Sequence, residues 1–317
     1  MKICHILTAD PNNEIGGTPS AVRSLQNSIM STKEIISDVK YGKGFGLIKT
    51  IIYPLLNSLF MIKNDYDIIH IHDSQGYWYT FVPKIFRKKI IYTSHGETTY
   101  YYEIMKPKGF FKEAKARIAI KIQKRLIEKA DIVVAVSEYV KKCIIKYYKT
   151  DPKKIVVIYN GVDTDKFKPL KKNKSRNKVA IWVGTDPYLK GLKKAIRYVT
   201  RKNMKLIVVG IDQLDNLNNK NNIEVKGKIS YEQMPEVYNM ADTLLFFSKG
   251  EGHPLVPLEA MACGLNIVAS KESHIEIIPI KGKNYFIDSK NARKIAKKYD
   301  WKKQTKKYIK LYKSITG

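Results

Sequence analysis

Nine short apolar runs, four to six residues each, alternate with stretches of helical periodicity from one end of the chain to the other: Ile3–Thr8, Ile68–Ile71, Lys89–Thr93, Ile132–Val136, Ile155–Ile158, Val179–Val183, Leu206–Val209, Thr243–Phe247 and Leu265–Ala269. Continuous apolar strands, rather than alternating ones, are those buried on both faces. Strand and helix in alternation place such strands in a parallel sheet covered by helices on either side. The first five runs are separated from the last four by Asp165–Lys178, where Lys166, Lys168, Lys171, Lys172, Lys174, Arg176 and Lys178 surround Pro169 without apolar periodicity, the mark of a solvated linker. A chain of 317 residues is comfortable as two domains. The expectation is therefore an α/β protein with two doubly wound parallel sheets, over residues 1–165 and 166–300, and a tail over residues 301–317.

Composition limits what such a chain can do. No apolar run approaches the length of a membrane span; the nearest, Leu47–Ile62, carries Lys49 and Pro54 and reads as an amphipathic helix. Met1–Ala9 is already a strand pattern rather than a secretory signal. Cys4, Cys143 and Cys263 lie far apart in apolar surroundings, which suits buried thiols in a reducing cytoplasm. The balance of 58 basic to 29 acidic residues, a formal charge of +29, calls for an anionic partner: a nucleotide diphosphate, an anionic lipid surface or a nucleic acid. Lysine as decoration of solvated faces accounts for much of this excess but not for clustering. Nine basic and two acidic residues occupy Lys106–Lys129, and eleven basic and one acidic occupy Lys290–Gly317.

The most informative segment is Gly250–Gly264, Gly-Glu-Gly-His-Pro-Leu-Val-Pro-Leu-Glu-Ala-Met-Ala-Cys-Gly. The strand Thr243–Phe247 precedes it, and Pro257–Cys263 has a helical composition, so Glu251 falls in the intervening loop and Glu259 in the helix. Free amides and the helix dipole at such a junction attract anions. Two carboxylates there suit sugar or ribose hydroxyls, although Glu259 could merely complement its own helix dipole.

This segment resembles the paired-glutamate signature of the retaining glycosyltransferases of family 4, Glu-Gly-x-x-Leu-x-x-Leu-Glu-Ala-Met-Ala-x-Gly. The resemblance implies a GT-B fold, two Rossmann-like domains facing each other across a cleft. It also implies that Glu251 meets the donor sugar, Glu259 the ribose, and Gly252 with the neighbouring His253, Pro254 and Leu255 the rest of the sugar nucleotide; the family often has an aromatic residue in place of His253. Val183-Gly-Thr-Asp-Pro-Tyr-Leu-Lys-Gly191 is similar to the family's Gly-Arg-x-x-x-x-Lys-Gly, whose two cations neutralise the diphosphate. Lys190 matches and Thr185 stands where the arginine would be, so either a Thr185 hydroxyl or Lys193 or Lys194 takes that part. Gly227 resembles a position bordering the base. Ser273-His274 replaces a family Gly-Gly on the acceptor side.

In the first half, Gly16-Gly17-Thr18 opens a helix with Thr18 as its cap, and the resemblance puts the paired glycines under the donor phosphates and the acceptor. Thr-Ser-His95-Gly resembles the family's His-Gly strand end and implies that His95 bonds the donor sugar or stabilises developing charge. His70 and His72 share a strand face and with Asp73 read either as a polar strand end or as a metal pair. Ile158–Phe167 is similar to the family's Asn-Gly-Val-Asp hinge segment; within it Asp163-Thr-Asp165 also spells an Asp-x-Asp metal motif, though beside a linker rather than at the end of a nucleotide-binding strand.

The reaction implied is hexosyl transfer from a nucleotide diphosphate sugar to a hydroxyl of a glycan or glycolipid, with retention and without a metal or other cofactor. His95, Lys190 and Glu251 carry the chemistry. The acceptor side has one candidate surface: Phe111, Ala114, Ile118, Ile122 and Leu126 form a stripe beside the basic run, facing either the core or an anionic membrane. Two alternatives are a nucleic-acid-binding protein, which would want a basic aromatic groove, and a GT-B-fold sugar-nucleotide epimerase, which would want additional acid and base carboxylates.

Overall fold

The computed structural model describes residues 1–8, 10, 17–41, 52–96, 98–170, 178–213, 222–281 and 284–316. Gly16, half of the linker (residues 171–177) and the start of the Leu47–Ile62 run lie outside them. The chain separates into two compact units, Met1–Asn160 with Trp301–Gly317, and Gly161–Asp300.

The first unit carries strands β1 (Lys2–Leu7), β2 (Ile36–Tyr41), β3 (Ile68–Ile71), β4 (Lys89–Ser94), β5 (Ile132–Ala135) and β6 (Ile155–Val157), all parallel, in the order β2-β1-β3-β4-β5-β6. Helices α1 (Gly17–Met30), α2 (Tyr53–Lys63), α3 (Thr98–Met105), α4 (Phe110–Lys129) and α5 (Glu138–Tyr148) connect them. Boundaries follow from local chemistry. Ser137 ends β5's loop by accepting from the Val140 amide, which caps α5, and Glu138 complements the helix dipole in the first turn. Thr18 does not cap α1: the helix begins at Gly17, so Thr18 already lies in its first turn.

The second unit carries β7 (Val179–Val183), α6 (Leu192–Lys202), β8 (Lys205–Val209), β9 (Ile223–Val225), α7 (Met234–Asn239), β10 (Thr243–Phe246), α8 (Leu255–Ala262), β11 (Asn266–Ser270), β12 (Ile280–Lys281), β13 (Asn284–Ile287) and α9 (Ser289–Ala296). Its order is β12-β13-β11-β10-β7-β8-β9, parallel except for β12 and β13. The purely parallel sheet expected from the sequence thus gains two short antiparallel edge strands. Two apolar clusters lie on opposite faces of this sheet: one holds Ile181, Leu244, Phe246, Leu258 and Ile267, the other Ala180, Trp182, Leu206, Leu245 and Val268. Successive residues of β10 fall alternately into the two, which is why the strand reads as one apolar run.

The tail forms α10 (Trp301–Thr316), part of the first unit and packed on α1. Trp301, Gln304, Thr305, Tyr308 and Tyr312 are buried at helical spacing, while Lys302, Lys303, Lys306, Lys310 and Lys313 alternate with them on the outer face. The basic cluster at the end of the sequence is therefore in large part the solvated side of an amphipathic helix.

Candidate active site

In an open parallel sheet, ligands gather beyond the strand carboxyl ends where the strand order reverses. In the second unit that point lies between β7 and β10, and the loops leaving these strands are Gly184–Gly191 and Phe247–Pro254. The two loops are stitched together by the Lys249 amide, which donates to the Leu189 carbonyl at 2.8 Å. Gly191 approaches the second loop so closely that a Cβ would stand 2.4 Å from the Phe247 carbonyl oxygen, and its φ of +67° also favours glycine. The Trp182 indole donates to the Lys190 carbonyl at 2.9 Å, fixing the backbone from which the lysine side chain extends.

That side chain reaches Glu251. The Lys190 ammonium and the Ser248 hydroxyl both donate to Oε1 of Glu251. Residues 61 positions apart are thus brought into one ion pair, with the lysine side chain 32% exposed and the carboxylate 11%. A cation and an anion held side by side, with solvent access to the cation, can offer charge to a phosphate and an acceptor to a hydroxyl at once.

Glu259 is buried one turn into α8, and the hydroxyl of Tyr238 on α7 donates to its Oε2 at 2.8 Å. Burial, and next the Glu259 charge, hold the Tyr238 hydroxyl far above its ordinary pKa, so it stays a donor. The two glutamates have separate partners. Gly252 and His253 are buried, with the His253 ring tilted against Tyr299 at 5.6 Å between centroids; burial pushes its pKa down to about 3, so the ring is neutral. Pro254 and Leu255 form the helix entrance. Thr185 is exposed in its turn. Of the two lysines weighed as its substitute, Lys194 lies 3.7 Å from Glu272. Gly227, with φ +67°, has its carbonyl bound by the Gly210 amide at 2.7 Å, so the loops after β8 and β9 sit together.

In the first unit the order reverses at β1, between β2 and β3. Beyond these strands lie His72, Asp73, and Gly17 at the start of α1, where a Cβ would meet nothing within 4 Å. His95 follows β4, and its Nε2 lies 3.1 Å from Nδ1 of His72. Asp73 accepts from the Thr8 and Gln75 amides and so caps the turn that follows β3. The sequence pair His70 and His72 is joined by His5 of β1, a third imidazole that only the pairing of β1 with β3 could reveal. Asp163 caps its own turn, accepting from the Asp165 and Lys166 amides at 3.0 Å each, and the Thr164 hydroxyl donates to Asp300. That motif is engaged in holding the segment together. Tyr238 and Ser248 carry no signature a sequence could offer: Ser248 meets Glu251 within one loop, and only the fold brings Tyr238 to Glu259.

Two Rossmann-like parallel-sheet units, the second with an acid–base pair at its switch point, define a GT-B α/β protein. The family model for Glycosyltransferase Family 4 matches residues 33–166, and that for Glycosyl transferases group 1 matches residues 163–313. The chain belongs to this family and is a glycosyltransferase. It is 28% identical to the glycosyltransferase MJ1069 of Methanocaldococcus jannaschii over 73% of this chain and 69% of that protein. Sucrose-phosphate synthase from Thermosynechococcus elongatus shares the fold with a TM-score of 0.80 at 15% identity, over 99% of this chain and 98% of that one. Alr3699/HepE of Anabaena, solved in complex with UDP and glucose, does so with a TM-score of 0.74 at 17% identity, over 99% and 100%.

Proposed function

We propose that this glycosyltransferase moves a hexosyl group from a nucleotide diphosphate sugar to an acceptor hydroxyl with retention at the anomeric carbon. The observation that carries the reading is the Lys190–Glu251 ion pair at the β7/β10 switch point, with Glu259 held apart on Tyr238. In the free chain Lys190 and Glu251 satisfy each other. When the donor enters, the ammonium turns part of its charge to the diphosphate and Glu251 accepts from a sugar hydroxyl; Glu259 accepts from the ribose, and Gly227 and Gly252 offer backbone. The acceptor oxygen bonds to the anomeric carbon on the face from which the diphosphate leaves, and an oxygen of that diphosphate takes the acceptor's proton. Lys190 and the start of α8 stabilise the departing charge, and the protein works by positioning and electrostatics.

The acceptor is a glycan or lipid-linked hydroxyl, and an anionic bilayer is the surface on which we place it. Support comes from α4, whose stripe leaves the core as it runs toward its amino end: Leu126 is buried, Ile118 is 57% exposed and Phe111 85%. Lys108, Lys112, Lys115 and Lys121 lie on the same helix and its approach, and each lysine near an anionic surface contributes about 1 kcal/mol. No helix among the described residues is long and apolar enough to cross a membrane. Three buried thiols suit a reducing compartment.

The test is a panel of nucleotide diphosphate sugars, read by melting temperature and by slow hydrolysis, with the anomeric configuration of the transferred sugar followed by NMR. A donor at one hundred times its Kd stabilises its unit by about 2.7 kcal/mol, visible as a shift in melting temperature. No shift with any donor overturns the reading, and an inverted product overturns retention. Salt-insensitive or absent flotation with anionic liposomes removes the membrane.

A further inference from the structure

We propose that His72 and His5 position His95 for sugar transfer by fixing which nitrogen of the His95 ring carries its proton. The proposal rests on the reading that His95 bonds the donor sugar. Three rings from three parallel elements form a chain: Nδ1 of His5 lies 2.9 Å from Nε2 of His72, and Nδ1 of His72 lies 3.1 Å from Nε2 of His95. His5 and His72 are near coplanar, 20° apart, as an in-plane N–H···N bond requires.

Burial keeps these rings neutral, pushing His5 and His95 down to about 4 and His72 well below its ordinary value. A neutral imidazole has one N–H and one lone pair. Each contact in the chain needs one of each, and both nitrogens of His72 are committed. Only two arrangements satisfy it: the proton on Nδ1 of all three rings, or on Nε2 of all three. No ring can change alone.

The ends choose between them. His5 Nε2 is buried and without a hydrogen-bond partner among the described residues, and so is Nδ1 of His95. Either arrangement leaves one terminal N–H without a hydrogen-bond partner among the described residues: that of His5 Nε2 if the protons sit on Nε2, that of His95 Nδ1 if they sit on Nδ1. His5 is fully buried in the core, whereas His95 is only half-buried, so the N–H costs less at the His95 end, where a substrate can reach it. The Nδ1 arrangement follows, and it holds the Nδ1–H of His95 for an oxygen of the substrate. A donor fixed in advance needs no reorganisation when charge develops.

His70 braces the chain from the side. Its ring lies tilted by 33° against that of His72, 4.1 Å between centroids, and its nitrogens are occupied by Tyr312 Oη at 2.8 Å and Thr93 Oγ1 at 2.7 Å. This also weighs against an ion among His5, His70 and His72, whose ligand atoms lie within 4.8 Å of one another. Any such ion would have to break hydrogen bonds of His70 and His72 that are already made.

The chain has only six histidines, so imidazole 15N NMR of the whole protein resolves the rings. The expected spectrum shows Nδ1–H on His5, His72 and His95 at pH 7; mixed tautomers, or Nε2–H on all three, overturn the assignment, as does one equivalent of bound metal in the purified protein by elemental analysis. In kinetics, His72→Phe is expected to lower kcat about tenfold, less than loss of the donor itself, with the donor KM within about twofold. The same substitution in a His95→Ala background is expected to cost nothing further. Equal losses in both backgrounds would mean that His72 acts only through folding, and His5→Phe repeats the comparison should His72→Phe fail to fold. A fully active His95→Ala would remove His95 from the reaction and the positioning role with it, while the tautomer measurement would still judge the chain of rings.

Discussion

Lys190→Ala separates what the ion pair does for the fold from what it does for the reaction. The backbone bonds of Lys190, its amide to Asp186 and its carbonyl from Trp182, do not involve the side chain and should survive truncation. Glu251 keeps the Ser248 hydroxyl on the same oxygen. The lysine side chain is 32% exposed, so the pair sits between a surface and a buried bridge, and its loss should cost the second unit about 1 kcal/mol. The reaction should suffer more. Removing a preorganised partner of developing charge costs about 3 kcal/mol, or roughly two orders of magnitude in rate. Glu251, no longer neutralised, would also face the incoming diphosphate, so donor affinity should fall as well. Lys190→Ala/Glu251→Gln removes that repulsion and should recover part of the affinity but not of kcat, a coupling of about 1 kcal/mol in the double-mutant cycle. The assay is steady-state release of nucleoside diphosphate at varied donor, with calorimetric titration for affinity and thermal melting for stability. A Lys190→Ala enzyme turning over within threefold of the parent would refute the electrostatic role of this lysine.

Glu259→Ala should weaken nucleoside diphosphate binding itself, and Tyr238→Phe should do so by about tenfold, a hydrogen bond to a charged group being worth about 1.5 kcal/mol or more; unchanged calorimetric affinity in both would remove Glu259 from the ribose. Gly191→Ala should lower the stability of the second unit by about 2 kcal/mol or more, since the new methyl meets the Phe247 carbonyl and the residue must hold a positive φ; denaturant titration followed by Trp182 fluorescence would show it. Acid should unfold the first unit before the second. His5 and His95 titrate near 4 when folded and near 6.5 when unfolded, so between these values the unfolded chain binds more protons. Stability is full above pH 6.5 and falls as pH drops, by about 3 kcal/mol for each of the two. The second unit has one comparable group, His253. Equal acid midpoints for the two units would contradict this.

The parallel strands were legible because strands covered on both faces have no polar face, so their residues read as unbroken apolar runs. β2 escaped: Ile-Ser-Asp-Val-Lys-Tyr lies at the edge of its sheet with only Ser37 buried, and an edge strand with an open face has no such run. β9, β12 and β13 escaped through shortness. In the candidate site, Glu251 and Glu259 were legible from their spacing relative to a strand end and a helix start, and Lys190 from its resemblance to a family motif. Ser248, Tyr238 and His5 were not: a serine three residues before Glu251 has no distinguishing pattern, Tyr238 reaches Glu259 from α7 to α8, and β1 beside β3 brings His5 to His72, as β10 beside β7 brings Glu251 to Lys190. The charge excess divides along the same line. On α10 the lysines alternate with a buried aromatic stripe and report packing alone, whereas on α4 lysines adjoin Phe110, Phe111 and Ile118 that pack on nothing sufficient to bury them. A run of lysines therefore means solvation on one helix and an available surface on the other, and only burial of the neighbouring apolar residues distinguishes the two.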